Sequence, residues 1–323
     1  MAQQATGTRT PLRVAGQRRV GADLRPRRRR GGASEALLAY AYLAPALVVL
    51  LLFSLGPFAY VFYASLLHAP LTATESFVGL DNYRYLLDPA QQSGFLQALT
   101  NTAVYVVGVV PGGIVLSLLC AFLLHRAVRG WAIFRLLFFI PYVTPVLSTA
   151  IIWLWIFNPN SYGLLNFLLG LVHIRPLGWA NDPNWAMPSV IIYSLWQSAG
   201  FNTVVFLAGL AAIPKDLQEA ARTDGATEWA VTRRVTLPLL TPTIFFVLIV
   251  STIESLKVFT QVFALTGSNG AGGATTTLGL FLYQQLNFQH LDVASAIAVV
   301  LFVLTVVFTL IQSGLSRRWV HYG

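Results

Sequence analysis

Two ionisable residues, Glu254 and Lys257, lie inside a long apolar segment of the sequence. A charged side chain in such a segment is costly unless it pairs or lines a polar pathway, so both are candidates for a functional site. Their spacing of three places them on one face of a helix, together with Ser251, Ser255 and Gln261. Three interpretations stay open: contact with a polar solute, a purely structural ion pair, and contact with a partner chain.

The remaining chemistry-bearing residues do not combine into a catalytic or cofactor site. We find no paired nucleophile and base, and His68 and His173 have no cluster of acids or cysteines nearby that would suggest a metal. The glycine-rich stretch 267–273 lacks the Lys-Ser/Thr ending of a phosphate loop. We therefore expect neither catalytic residues nor a metal, and no cofactor bound by this chain.

The composition predicts that these residues sit in a membrane. The chain has 323 residues, of which 56% are hydrophobic and only 10% charged, whereas soluble domains carry about 25% charged residues. Each of six apolar segments is long enough to cross a bilayer as a helix. They lie at about 36–66, 96–124, 132–157, 188–212, 241–265 and 293–316. We predict an all-α integral membrane protein whose six transmembrane helices form one domain, 34–323.

Prolines and basic residues add detail to this topology. Five prolines fall inside the predicted spans, where they should kink the helices: Pro45, Pro57, Pro111, Pro141 and Pro145.

Residues 1–33 are basic and without hydrophobic periodicity, which predicts a disordered cytoplasmic tail near anionic lipid rather than a nucleic-acid-binding arm. Nine Lys and Arg lie in the loops and tail on one side of the spans and two on the other. Both termini are therefore expected in the cytoplasm.

The connection between the fourth and fifth spans, residues 213–238, reads as a helix, a turn and a second helix. Pro214 suits a first helical position, and Gly225 can adopt the left-handed conformation that closes a helix. Thr227 can cap the second helix, and Pro238 is expected at the junction to the fifth span. A loop that only joined two spans would not need this order.

The same connection resembles a known family. Glu219-Ala220-Ala221, three residues, Gly225, nine residues, Val235, one residue and Leu237-Pro238 match the EAA loop of ABC importer permeases at every spacing. The resemblance implies a type I, maltose-permease-like fold. It also implies that this loop docks in a groove on an ATP-binding subunit. The implied docking residues are Glu219, Ala220, Ala221, Asp224, Gly225, Leu237 and Pro238.

Other stretches are similar to the carbohydrate branch of that family, the maltose and glycerol-3-phosphate type. They are residues 77–82, 158–165, 261–267 and 275–278, so the resemblance extends over about 35–320. Sugar-contacting positions of the maltose type map to Leu195, Ser198, Phe201, Ser251, Glu254, Ser255 and Val258, of which Ser251 alone keeps the expected residue. Lys257 joins these candidates for the substrate pathway because it lies beside Glu254.

The resemblance implies a permease subunit of a binding-protein-dependent ABC importer in a bacterial cell membrane, forming half of a pathway for a sugar or polyol. The implied partners are a second permease in a heterodimer, a dimer of ATP-binding subunits that holds the ATP, and an extracytoplasmic solute-binding protein. The surrounding lipid is the other expected contact, and nucleic acid is not expected. Alternatives are a permease for glycerol-3-phosphate, a glycerophosphodiester, an amino acid or a peptide. A secondary transporter is less favoured because we find neither coupling-ion residues nor inverted repeats.

Overall fold

The computed structural model describes residues 33–89, 94–126 and 131–319. The chain divides into two compact units, Met1–Leu55 and Gly56–Gly323. The predicted tail lies outside the described residues, except that Ala33 already begins a helix. The described part of the first unit is helix α1, Ala33–Leu50, followed by the π-helical turn Leu51–Leu55. Its apolar side chains are exposed, as suits a helix that contacts lipid or another chain.

The second unit is a bundle of helices with one small hairpin. Its elements in chain order are α2 Gly56–Ala64, β1 Leu67–His68, β2 Ser76–Phe77, α3 Asp81–Leu87, α4 Phe95–Arg126, α5 Trp131–Val143, α6 Val146–Ile156, α7 Leu164–Leu171, α8 Pro183–Ala212, α9 Lys215–Thr223, α10 Glu228–Val231, α11 Leu237–Leu256, α12 Thr260–Thr266, α13 Leu278–Asn287 and α14 Leu291–Trp319. Strands β1 and β2 pair antiparallel, with Leu67 opposite Phe77.

The described helices account for the predicted spans. Five are long and apolar enough to cross a membrane: Leu37–Ala64, Phe95–His125, Pro183–Ala212, Glu228–Leu256 and Leu291–Ser316. Helices α5 and α6 make a sixth span if they are counted together, although they meet at an angle of 105°. The bend expected at the prolines of the third span is present, but the helix breaks there instead of continuing. The helix stops because Pro145 has no backbone donor and disfavours helical geometry at Thr144.

The fifth span also differs from its prediction at both ends. Its C-terminal part is interrupted at residues 257–259, between the end of α11 at Leu256 and the start of α12 at Thr260. At its N-terminal end there is no junction at Pro238, because the helix runs without interruption from Glu228 to Leu256. The π-helical turn Thr232–Thr236 ends two residues before this proline, and a wider turn accommodates a residue that cannot donate to the preceding turn.

Three clusters of buried apolar side chains hold the second unit together. One surrounds Tyr193 of α8, and a second surrounds Phe206 of the same helix and Leu240 of α11. The third joins Phe95 of α4 to Ile297 of α14. Helix α4 contributes to all three clusters and α8 to two of them, so these two helices form the centre of the bundle.

Asparagine side chains fix the loops between the spans. The buried amide of Asn166 donates to the backbone oxygens of Asn158 and Leu177, and its oxygen accepts from the Trp179 indole at 2.8 Å. Asn82 donates in the same way to the backbone oxygens of Ser65 and Leu67. Each amide satisfies several backbone groups that no helix or strand would satisfy, so these connections are ordered.

Close approach of α5 and α8 gives a first prediction. A methyl group added at Gly200 would overlap the backbone oxygen of Phe138, whereas one added at Gly314 of α14 would meet nothing within 4 Å. Overpacking costs about 1–3 kcal/mol, so Gly200→Ala should lower the thermal unfolding temperature of the purified protein in detergent. Gly314→Ala is the matched control because both changes carry the same helix-propensity gain. Equal melting of the two variants would contradict the close approach.

Candidate functional site

A cavity of about 410 Å³ opens where α4, the α5–α6 break, α8, α11 and α12 meet. Most of its lining side chains are polar but uncharged. The lining residues are Tyr105, Val109, Tyr142, Val146, Ser194, Gln197, Ser198, Phe201, Asn202, Val250, Ser251, Glu254, Ser255 and Gln261. A concave site of this size with a few convergent polar groups is typical of a binding site for a small molecule.

Hydrogen bonds between the helices organise the polar part of the wall. The Tyr105 hydroxyl of α4 donates to the Ser194 hydroxyl of α8 at 2.9 Å. The Gln261 amide of α12 donates to the Gln197 amide oxygen at 3.4 Å. These bonds leave lone pairs and hydrogens on the same groups free for a solute.

An aromatic pair forms the flat part of the wall. The rings of Tyr142 and Phe201 stack with centroids 4.8 Å apart and planes inclined by 22°. Tyr142 belongs to the last turn of α5, which packs closely on α8 at Gly200, so its ring lies against α8 just before the 105° break. Stacked rings expose a rigid apolar face beside the hydroxyls and amides. The cavity can therefore contact both the apolar face and the hydroxyl groups of one solute.

Glu254 lines the cavity and is also paired with Lys257. The Lys257 ammonium lies 3.0 Å from Glu254 Oε1, and the two side chains are 48% and 71% exposed. The sequence left two roles of Glu254 as alternatives, pairing with Lys257 and lining a solute pathway. The structure shows that the ion pair and a place in the cavity wall are compatible. Lys257 itself is outside the lining because it follows the last residue of α11.

The structure brings together five of the eight predicted pathway residues. The cavity is lined by Ser198, Phe201, Ser251, Glu254 and Ser255. Leu195 faces the opposite side of α8, where it lines a separate apolar cavity of about 520 Å³. Val258 falls in the break of the fifth span and is buried, with its backbone oxygen accepting from the Thr277 hydroxyl at 3.0 Å.

Sequence reasoning overlooked the contribution of α4 and of the α5–α6 break, including Tyr105 and Tyr142. It also left out the polar residues Ser194 and Asn202 of α8. A signal for these two was present, because the polar positions 194, 197, 198 and 202 recur at helical spacing on one face. The contribution of α4 depends on tertiary packing and has no comparable pattern.

The connection 213–238 has the predicted helix–turn–helix form. Gly225 has a φ of +83°, and the Thr227 side chain accepts from the Ala230 amide at the start of α10. Both predicted roles are confirmed, whereas Pro214 precedes the helix instead of occupying its first position. A methyl group at Gly225 would meet nothing within 4 Å, so the turn is open to an approaching surface.

A two-point ion pair joins the two helices across this turn. Arg222 donates from Nε to Glu228 Oε1 at 2.7 Å and from a terminal nitrogen to Oε2 at 3.2 Å. This hydrogen bonding, and then the charge of Glu228, raises the pKa of Arg222, with a smaller contribution from Glu219. The pair therefore fixes the direction of α9 relative to α10.

The predicted docking residues are not equally accessible. Glu219, Ala220, Asp224 and Gly225 are exposed, Ala221 is half-buried, and Leu237 and Pro238 are half-buried at the start of α11. Two exposed apolar side chains in the same connection were overlooked: Leu217, and Trp229 with 70% of its surface exposed. Exposed apolar groups on an ordered loop are typical of a contact surface.

The histidines of the outer loops do not assemble a metal site. His68 Nδ1 lies 3.3 Å from Asp292 Oδ2, which ties the β1 hairpin to the start of α14. Within residues 33–89, 94–126 and 131–319, no three His, Cys, Asp or Glu side chains are grouped so that they could hold a metal ion.

Comparison with known proteins agrees with this arrangement. A family profile described as "Binding-protein-dependent transport system inner membrane component" matches residues 113–321. The chain belongs to this family. It is 35% identical to the trehalose/maltose transport system permease protein MalF of Thermococcus litoralis, over 88% of this chain and 95% of that relative. It is 34% identical to the sulfoquinovosyl glycerol transport system permease protein SmoG of Agrobacterium fabrum, over 88% and 91%.

A solved structure has the same fold. A chain of a bacterial alginate ABC transporter, crystallised with an alginate-bound periplasmic protein, superposes with a TM-score of 0.78 at 24% identity. The superposition covers 90% of the present chain and 97% of the other. The protein is thus a multi-pass ABC transporter permease with the type I importer fold, a component of a transport system.

The ion pair across the permease loop gives a second prediction. Arg222→Glu should separate α9 from α10, since the new carboxylate faces Glu228 and lies near Glu219. Glu228→Arg should do the same, and the double exchange should restore the contact. Hydrogen–deuterium exchange of the backbone amides in residues 216–231 measures the separation of the two helices. Exchange should be faster in each single variant and should return to the wild-type rate in the double variant. If neither single variant changed the exchange rate, the pair would not order the loop.

Proposed function

We propose that this permease forms half of the translocation pathway for a sugar or related polyol in a binding-protein-dependent ABC importer. The observation that carries the proposal is the cavity, in which hydroxyls and amides converge beside the stacked rings of Tyr142 and Phe201. A carbohydrate presents the matching surfaces, hydroxyl groups at its rim and apolar C–H groups on the ring faces. The names of the two relatives, both of which are permeases for glycoside transport, support the same class.

The central cavity requires a second permease to become a two-sided pathway. Glu254 is 71% exposed although it lies within a predicted span, so its outward side needs a neighbour that is not lipid. A different but related permease in a heterodimer would supply that neighbour. Helix α1, with its exposed apolar side chains, offers further surface for lipid or for the partner.

Residues 213–238 are the proposed contact with the ATP-binding subunit. Glu219 and Asp224 offer exposed acceptors, Ala220 allows close approach, and Leu217 and Trp229 add apolar surface. The helix that starts at Glu228 continues to Leu256 and carries the cavity residues Ser251 and Glu254. Motion of a docked ATPase that hydrolyses ATP would thereby reach the cavity and change the side from which it is open.

Orientation follows from the distribution of basic residues. Both termini and residues 213–238 are placed in the cytoplasm, since nine Lys and Arg of the connections and C-terminal tail lie on that side against two on the other. Residues 67–95, 158–187 and 266–292 then face outward, where an extracytoplasmic solute-binding protein would deliver its solute. Their asparagine-anchored loops give such a partner an ordered surface.

The solute class is tested with the complete complex reconstituted in liposomes. Sugars and polyols, presented with the binding protein, should stimulate ATP hydrolysis, whereas amino acids and peptides should not. Ser251→Ala should lower the stimulation, because it removes one cavity hydroxyl without charge or strain. Stimulation by amino acids or peptides alone would overturn the sugar class and leave the transport family intact.

The docking role is tested by variants of the loop. Glu219→Lys should weaken the complex by about 2–5 kcal/mol if its partner group is a buried cation. Gly225→Pro should abolish coupling, since proline fixes φ near −65° where the turn needs +83° and removes the donor to the Arg222 oxygen. Co-purification of the ATPase and solute-stimulated hydrolysis measure both effects.

A neutral change on the same loop serves as the control for these variants. Thr223→Ser keeps the hydroxyl that donates to the Glu219 oxygen and should leave both measurements unchanged. If Glu219→Lys and Gly225→Pro retained wild-type co-purification and coupling, the loop would be only a connector.

A further inference from the structure

The charges around the cavity point to one class of carbohydrate. Among the lining residues, all of which lie in the described part of the chain, only Glu254 carries a formal charge. Buried polar groups of the wall, such as Gln197 and Asn202, are neutral amides that can bind hydroxyl groups. The cavity therefore has hydrogen-bonding partners for a neutral solute and no cation for a carboxylate, sulfonate or phosphate.

The neighbouring lysine does not supply that cation. Lys257 pairs with Glu254 Oε1 at 3.0 Å and is not part of the lining. Of the two charged groups, the carboxylate is therefore the one that a solute in the cavity meets. Within the described residues, the second oxygen of Glu254 has no hydrogen-bond donor. That oxygen can accept from a sugar hydroxyl, whereas an anionic group at the same place would be repelled.

We propose that the cavity selects neutral polyhydroxylated solutes and that Glu254 is the specificity-determining residue that excludes anionic sugars. This inference rests on the proposed function of the cavity. It adds a property that the fold does not dictate, because it depends on one carboxylate and on the absence of basic side chains among the lining residues.

The test compares two ligands that differ by one group. One is a neutral sugar that stimulates hydrolysis by the complete complex, and the other is the same sugar with one primary hydroxyl oxidised to a carboxylate. Binding of each is measured calorimetrically on the assembled permease–ATPase complex without the solute-binding protein, so that this protein's own selectivity does not enter. The wild-type complex should bind the neutral sugar about tenfold or more tightly than the acid.

Glu254→Gln removes the charge and retains a hydrogen-bonding group of the same size. It should bring the two affinities to within about threefold of each other, which is less than 1 kcal/mol. Ser251→Ala is the matched control on the same face of α11, and it should weaken both ligands without changing their ratio. If the unpaired Lys257 prevents assembly of Glu254→Gln, the double variant Glu254→Gln/Lys257→Met removes both charges and should show the same loss of discrimination.

Each outcome is decisive. Equal affinity of the wild-type complex for the two ligands, or an unchanged ratio in the charge-free variants, overturns the selectivity of Glu254 and leaves the transport function standing. Failure of the neutral sugar to bind the wild-type complex means that the cavity is not the solute site, and the proposed function of the cavity falls with the inference. Tighter binding of the acid would show that Lys257, and not Glu254, faces the solute.

Discussion

The backbone groups released where two spans break must find hydrogen-bond partners inside the protein, because lipid offers none. At the α5–α6 break the Tyr193 hydroxyl donates to the Val146 oxygen at 3.0 Å and lies 2.6 Å from the Thr149 hydroxyl. At the break of the fifth span the Thr277 hydroxyl donates to the Val258 oxygen. The Thr277 hydroxyl thus satisfies a backbone oxygen that no helix satisfies, and the Tyr193 hydroxyl ties the first turn of α6 to α8.

The cavity exists because of these breaks. Tyr142 and Val146 line the cavity on the two sides of the turn after α5, and Gln261 of α12 lies against Gln197 beyond the break after α11. Straight helices would keep these side chains on separate faces of the bundle. The polar wall therefore results from the breaks in these two spans. The apolar clusters around Tyr193 and Phe206 hold the straight helical parts on either side of the breaks.

Local sequence patterns predicted the elements well and the contacts between them less well. Apolar runs located the spans, and the turn at Gly225 with its cap at Thr227 followed from backbone preferences that depend on a few neighbouring residues. The break at Pro145 was expected only as a kink, since the sequence does not reveal that the Tyr193 hydroxyl holds the first turn of α6 against α8. The orientation of Val258 likewise depends on Thr277, nineteen residues away. Tertiary contacts of this kind decided the part of the site that the sequence did not predict.

The unbroken helix from Glu228 to Leu256 has a mechanical consequence. With a rise of 1.5 Å per residue it is a rod about 40 Å long, and its hydrogen bonds make it stiff along its axis. A displacement of this helix at Glu228 would be carried along its axis to Ser251 and Glu254, and the π-helical turn Thr232–Thr236 is the irregular segment between the two ends. The helix ends directly before the break at residues 257–259, so a displacement carried along it would end at the cavity wall and not continue into α12.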